Sequence, residues 1–189
     1  MKKILIVNGS KRKKGNSYAL ERYMADKLAG RAEVVEFNVG EKDVRVCMAC
    51  DACKKKEEPF CIQKDDFTAL IPTIDKCDAM VILGPVHYGR FPAQLRAFLD
   101  RTYSFMNFRR PDFSMASRKD KKLAGYLCCG VGPADGYVKA LDEDLRSFAM
   151  AGFVDYKAFV AGNVRDPGKV MENPDYVKAA DDIVDWLLA

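Results

Sequence analysis

The chain alternates between short apolar runs and longer stretches in which apolar residues recur every three or four positions. Lys3–Asn8 (KILIVN) and Ala79–Leu83 (AMVIL) are continuous aliphatic runs, the mark of strands covered on both faces of a parallel sheet. Ala32–Val39, Leu123–Cys129 and Val154–Val160 read as three further strands. Between them the spacing predicts helices. The first starts near Ser17, carries Leu20, Met24 and Leu28 on one face, takes Asn16 or Ser17 as its cap and stops at Gly30. Asp65 or Asp66 caps a second that runs toward Asp75, with Pro72 as a point of kinking. A third covers Ala93–Phe105 on the stripe Leu95, Phe98, Leu99 and Thr102, and a fourth covers Tyr137–Met150 and is stopped by Gly152. The last opens with Asn173 as cap and Pro174 in its first turn, and buries Val177, Ile183, Val184 and Leu187.

Five strands alternating with helices specify an α/β doubly wound parallel sheet with helices on both faces, and the strand order expected is 2-1-3-4-5. In such a sheet ligands bind outside the carboxyl ends of the strands where the order reverses, here between the first and third strands. No repeat or linker divides the 189 residues, so residues 1–189 are read as one domain with an insertion at 44–62.

Composition narrows the setting. A chain that is 49% hydrophobic and 31% charged has the balance of a globular protein. MKKILIVNGS has too short an apolar stretch for a signal-peptide core and no run is long enough to span a bilayer, so a cytoplasmic location and no membrane partner are expected. Seven cysteines, an odd number, suit a reducing compartment. The net charge of +4 is mild, and the basic run Lys11–Lys14 is not continued by interleaved aromatic residues, so nucleic acid is not an expected partner.

Four of the cysteines crowd into CMACDACKKKEEPFC, as Cys47-x2-Cys50-x2-Cys53-x7-Cys61. Two successive two-residue gaps let one loop wrap three thiolates around a face of an iron-sulfur cube, with a fourth cysteine closing the remaining iron. Zinc ribbons use two separated pairs instead. Small apolar core residues would fit poorly beside Lys54, Lys55, Lys56, Glu57 and Glu58.

Three loops at the predicted carboxyl edge carry the remaining chemistry. GSKRKKGNS, residues 9 to 17, joins the first strand to the first helix: Gly9 and Gly15 permit tight turns, the helix start offers free N–H groups, and Ser10, Arg12, Asn16 and Ser17 add hydrogen bonds and charge for a phosphate. It is not a Walker A loop, since five residues separate the glycines and Asn16 holds the place of the lysine. In GPVHYG, residues 84 to 89, the arch Pro85, Val86, His87, Tyr88 and Gly89 suits a flat heteroaromatic ring. His87, the sole histidine, is a candidate acid, although a lone loop histidine more often stacks or hydrogen-bonds. CCGVGPADG, residues 128 to 136, departs from a dinucleotide fingerprint by one position; Cys129, Gly130 and Gly132 are read as allowing close backbone approach to the far edge of the ring, and Cys77 as core.

These motifs together resemble the NADPH-dependent FMN reductase group of flavodoxin-like proteins, and specifically its iron-sulfur flavoprotein branch. GSKRKKGNS is similar to that group's phosphate loop, Gly-Ser-Pro-Arg followed by Gly-Asn-Ser or Gly-Asn-Thr, and GPVHYG with AQLRAFLDR is similar to its Ser-Pro-Val-Tyr loop and Leu-Lys-x-Phe-x-Asp-Arg helix. Gly84, His87 and Lys11 stand where Ser, Tyr and Pro are usual. The resemblance implies that Ser10, Arg12, Asn16 and Ser17 hold the phosphate of FMN, that Pro85–Gly89 lie against the flavin, and that Cys47, Cys50, Cys53 and Cys61 hold a 4Fe-4S cluster. It further implies electron transfer between a reduced donor, NAD(P)H or a ferredoxin-type carrier, and small-molecule or protein acceptors, in a homodimer or homotetramer. The flavin carries the chemistry, so no side chain need be catalytic. The competing readings are a cluster-free NAD(P)H-dependent reductase of FMN, quinones or nitro compounds, a flavodoxin-type electron carrier, against which the basic balance weighs, and a zinc-stabilised binding module.

Overall fold

A computed structural model describes all 189 residues. Five strands, β1 (Lys2–Asn8), β2 (Ala32–Asn38), β3 (Ala79–Pro85), β4 (Lys121–Cys128) and β5 (Phe153–Ala161), form one sheet of order β2-β1-β3-β4-β5. Every pairing is parallel, with Ile4 opposite both Val34 and Ala79 and with Leu83 opposite Tyr126. The expected fold and strand order are those observed.

The unbroken apolar runs have a direct physical reason. Successive side chains of a strand point to opposite faces, so Leu5, Val7, Met80 and Ile82 enter one core while Ile4, Ile6, Val81 and Leu83 enter the other. Helices α2 (Asp66–Lys76), α3 (Ala93–Arg101) and α4 (Asp135–Arg146) cover the first face through Phe67, Phe98 and Leu145, and α1 (Asn16–Leu28) and α5 (Pro174–Leu188) cover the second through Met24 and Val184. The edge strand β5 alternates more openly.

Several boundaries differ from the sequence expectation. The residue preceding α1 is Gly15, in extended conformation and without a capping side chain, so neither Asn16 nor Ser17 serves as the cap. The last turns expected of α3 and α4 tighten into 3₁₀ turns at Thr102–Phe105 and Ser147–Ala151, the second ended by Gly152 at φ +89°. Asp65 and Asn173 do cap α2 and α5, accepting from the N–H groups of Thr68 and Asp175. Pro72 lies inside α2, and Cys77 is fully buried. The insertion holds one short 3₁₀ turn, Ala52–Lys55. No helix is long and apolar enough to cross a membrane.

Candidate functional site

At the carboxyl edge of the sheet, where the connections leaving the paired strands β1 and β3 pass to opposite faces, lies a cleft of about 470 Å³. Gly9 makes its floor possible: a Cβ there would lie 2.2 Å from Leu95 Cγ, and one on Gly84 would lie 2.8 Å from Leu95 Cδ1. Leu95 occupies the space that both glycines leave, which brings the start of α3, with Gln94, onto the cleft wall. Gly84 in place of the serine usual in the resembled group therefore has a packing reason.

The loop after β1 supplies Ser10, Lys11, Arg12, Gly15, Asn16 and Ser17 to the cleft. Buried Asn8 fixes its start: its Oδ1 accepts from the Ser10 N–H at 2.9 Å and its Nδ2 donates to buried Glu21 at 2.5 Å. Burial raises the pKa of the Glu21 carboxyl, with the Asn8 hydrogen bond opposing and Glu36 and Glu41 adding to the rise. Ser10 Oγ in turn accepts from the Arg12 N–H at 3.1 Å. At the start of α1 the N–H groups of Asn16, Ser17 and Tyr18 have no acceptor within the protein, as expected of a first helical turn. They give the cleft the character of an anion site.

The side chain of Asn16 is occupied otherwise. Its Nδ2 donates to the carbonyls of Val164 at 2.6 Å and Asp166 at 3.0 Å, and its Oδ1 accepts from the Val170 N–H at 3.1 Å. Asn16 thus clamps the loop after β5 and leaves its backbone N–H for a ligand. That loop brings Val164 and Arg165 to the cleft, so Lys11, Arg12 and Arg165 converge with no carboxylate among the lining residues, and none of the three forms an ion pair.

Of the arch, Pro85, Val86 and His87 line the cleft, whereas Tyr88 and Gly89 form a tight turn beyond it. His87 and Arg90 exchange both backbone hydrogen bonds at 3.0 Å, and φ is +50° at Tyr88 and +77° at Gly89, as in a type I′ turn. The Tyr88 ring is wholly exposed. Cys128, the last residue of β4, and Gly130 from the loop after it reach the cleft, but Cys129 packs into the core below it and Gly132 donates to Asn163 Oδ1 instead. Burial pushes the Cys128 thiol up to about 12, against the pull of Ser17, so it is a neutral group. Sequence reasoning did not assign Lys11, Gln94, Cys128, Val164 or Arg165 to the site. Their position at or just after the carboxyl ends of β1, β4 and β5, or at the start of α3, is the signal that marks them.

The four insertion cysteines share a second, smaller cavity. Left-handed backbone at Ala49 and Asp51 coils the loop so that Cys47, Cys50 and Cys53 face the same space as Cys61. All four are free thiols, and the Ala49 N–H donates to Cys47 Sγ at 3.5 Å. Burial raises the pKa of Cys53, with the adjacent Lys54 opposing; Lys54 Nζ itself donates to the carbonyls of Tyr103 at 2.5 Å and Met106 at 2.8 Å and sits 3.3 Å from the Tyr103 ring centre. No three His, Cys, Asp or Glu side chains close on a single metal ion. Four soft sulfur ligands around one space, with the Ala49 N–H turned to Cys47 and the Arg101 guanidinium 3.2 Å from Cys61 Sγ, fit an iron-sulfur core in their chemistry. The space the four enclose is about 20 Å³, and Cys50 is the exposed member of the set.

Residues 2–164 match the family described as NADPH-dependent FMN reductase. An iron-sulfur flavoprotein of Archaeoglobus fulgidus is 33% identical over 175 residues, covering 80% of this chain and 77% of its own length. An iron-sulfur flavoprotein of Methanocaldococcus jannaschii is 34% identical over 102 residues, 52% of this chain and 50% of its own length, so the match spans about half of that relative. Among solved structures, an NAD(P)H:quinone oxidoreductase from Methanothermobacter marburgensis superposes with a TM-score of 0.72 at 14% identity, over 97% of this chain and 95% of that one. An FMN-dependent NADH-azoreductase from Bacillus anthracis in complex with FMN gives a TM-score of 0.69 at 14% identity, each chain fully covered. These two likenesses are of fold.

Proposed function

The chain belongs to the NADPH-dependent FMN reductase family and is an FMN reductase-like oxidoreductase, and from that premise we propose that the cleft holds FMN and that the four insertion cysteines hold a 4Fe-4S cluster. The observation that carries the flavin assignment is the convergence of Lys11, Arg12 and Arg165, all without carboxylate partners, on the free N–H groups that open α1. These groups neutralise and orient a phosphate through charge-assisted bonds. Pro85, Val86 and His87 form the wall against which a planar ring lies, and the buried neutral Cys128 thiol adds no charge beneath it.

When bound, flavin supplies hydride acceptance and single-electron release, and the cluster supplies one-electron exchange. The protein's part is to hold, orient and shield. Asn8 and Asn16 set the phosphate loop, Leu95 seats α3, and Cys47, Cys50, Cys53 and Cys61 present thiolates on one loop. Electrons come from a reduced nicotinamide or a carrier protein and leave to a small-molecule or protein acceptor.

The narrow space among the cysteines favours a second reading, a cluster-free reductase with the same flavin cleft. Anaerobic purification followed by iron, sulfide and flavin analysis separates them. The proposal expects one FMN with about four iron and four sulfide per chain. Flavin without iron supports the second reading, and failure to quench or retain added FMN overturns both.

A further inference from the structure

Arg101, the last residue of α3, is 1% exposed, among the most buried side chains of the protein although it carries a full charge. Its guanidinium is held in a built frame. Nη1 donates to the Arg45 carbonyl at 2.9 Å and to Asp65 Oδ2; Nη2 donates to Asp65 Oδ1 at 3.0 Å and Thr68 Oγ1 at 3.0 Å. The plane also stands 4.8 Å from the centre of the Phe67 ring. Asp65 is held from its other side by the N–H groups of Thr68 and Arg45, so the carboxylate that orients the guanidinium is itself fixed.

A salt bridge alone would account for that much. Two further facts point beyond it. Nη2 also donates to Cys61 Sγ at 3.2 Å, and Nε is a buried donor with no acceptor in the protein. Buried donors are nearly always satisfied, so the orphan calls for an acceptor that the polypeptide lacks. Arg101 lines the cavity shared by the four cysteines, and so its charge faces the space where they converge.

We propose that Arg101 is a positioning and tuning residue of the cysteine-bound cluster: it fixes Cys61 as the fourth ligand and raises the reduction potential of the core. The inference rests on the cluster assignment made above. One-electron reduction adds one negative charge to the core and takes no proton from Arg101, whose guanidinium stays charged throughout. A fixed cation and an N–H···S bond stabilise the added charge, and hydrogen bonds to the sulfurs and net charge are established determinants of such potentials.

The test uses the anaerobic holoprotein. With 15N-arginine labelling, pulsed electron paramagnetic resonance of the dithionite-reduced cluster should show a weakly coupled guanidinium nitrogen. Arg101→Lys, which keeps the charge but loses the planar fork, should lower the cluster midpoint potential in a spectroelectrochemical titration and hasten iron loss to a chelator. Lys121→Met, a core change at a residue that does not line the cavity of the four cysteines, should lower thermal stability without moving the potential. An unchanged potential in a fully loaded Arg101→Lys protein, or no arginine coupling in the unaltered chain, overturns the role of Arg101 while leaving the cluster intact. Unaltered protein that holds flavin but no iron overturns the cluster assignment and this inference with it.

Discussion

Asn16 shows how a residue can serve a ligand without touching it through its side chain. Its three hydrogen bonds fasten the loop from Val164 to Val170 beneath the start of α1, and Arg165 rides on that loop into the cleft. Asn16→Ala leaves the fully buried Val170 N–H without its acceptor, which costs about 1–3 kcal/mol. It should also displace Arg165 and weaken FMN binding roughly tenfold, equivalent to about 1.4 kcal/mol. Urea unfolding and fluorescence titration measure the two effects on one preparation. A loss of stability with unchanged FMN affinity would break the proposed link between clamp and phosphate. Asn16→Asp makes a finer comparison: it can keep the acceptor for Val170 but lacks both N–H donors to the carbonyls.

Helices α2 and α3 and the cysteine insertion meet at Asp65 and Arg101. Burial pushes the Asp65 carboxyl up, but the Arg101 guanidinium and the N–H groups of Thr68 and Arg45 outweigh it and hold the pKa down to about 2. An unfolded aspartate titrates near 3.9, so this stabilisation is complete above about pH 4 and is lost as pH falls through about 2. Asp65→Asn can preserve the cap of α2 but strands a buried cation, at a cost of about 3–5 kcal/mol at neutral pH. It should also flatten the acid limb of stability between pH 4 and pH 2, measured by urea unfolding across that range. An acid limb as steep as in the unaltered protein would mean that other carboxylates govern it. The pair also shows what a sequence can and cannot disclose. The strands were legible because two covered faces demand unbroken apolar runs, and the phosphate loop because glycine, serine and arginine gather between a strand and a helix. Asp65 was visible only as a helix cap and Arg101 only as the last residue of the motif AQLRAFLDR inside a predicted helix, since their union depends on how α2 and α3 lie together on one face of the sheet. Arg165 was hidden for the same reason: it enters the cleft only because Asn16, some 150 positions earlier in the chain, holds its loop.

Across the whole molecule, the feature least at ease in a solitary chain is the turn at Tyr88 and Gly89. Left-handed backbone is unusual for a bulky aromatic residue and costs on the order of 1–3 kcal/mol. The turn is nevertheless firmly anchored: Arg90 donates to the Ala140 carbonyl at 3.2 Å and to Glu143 at 3.0 Å, and stands 3.5 Å from Asp144. A Cβ on Gly89 would come within 3.6 Å of the Tyr137 ring, so α4 buttresses the turn as well. The result is a rigid mount that presents the fully exposed Tyr88 ring beside the cleft proposed for FMN, with Val131 also exposed on the neighbouring loop. Tyrosine is among the residues enriched at the few positions that dominate interface energy. The homodimer or homotetramer that the family resemblance implies would bury this ring, and the association proposed for this chain is with a second copy of itself through Tyr88. Light scattering at micromolar concentration should give a mass at least twice the 21.2 kDa of one chain. Tyr88→Asn removes the ring and suits a left-handed turn better than tyrosine does, so it should shift the mass toward 21.2 kDa, preserve the fold by circular dichroism and weaken FMN retention. A variant that remains fully associated would show that Tyr88 is not the contact, and an unaltered chain of single mass would show that the exposed ring serves something other than self-association.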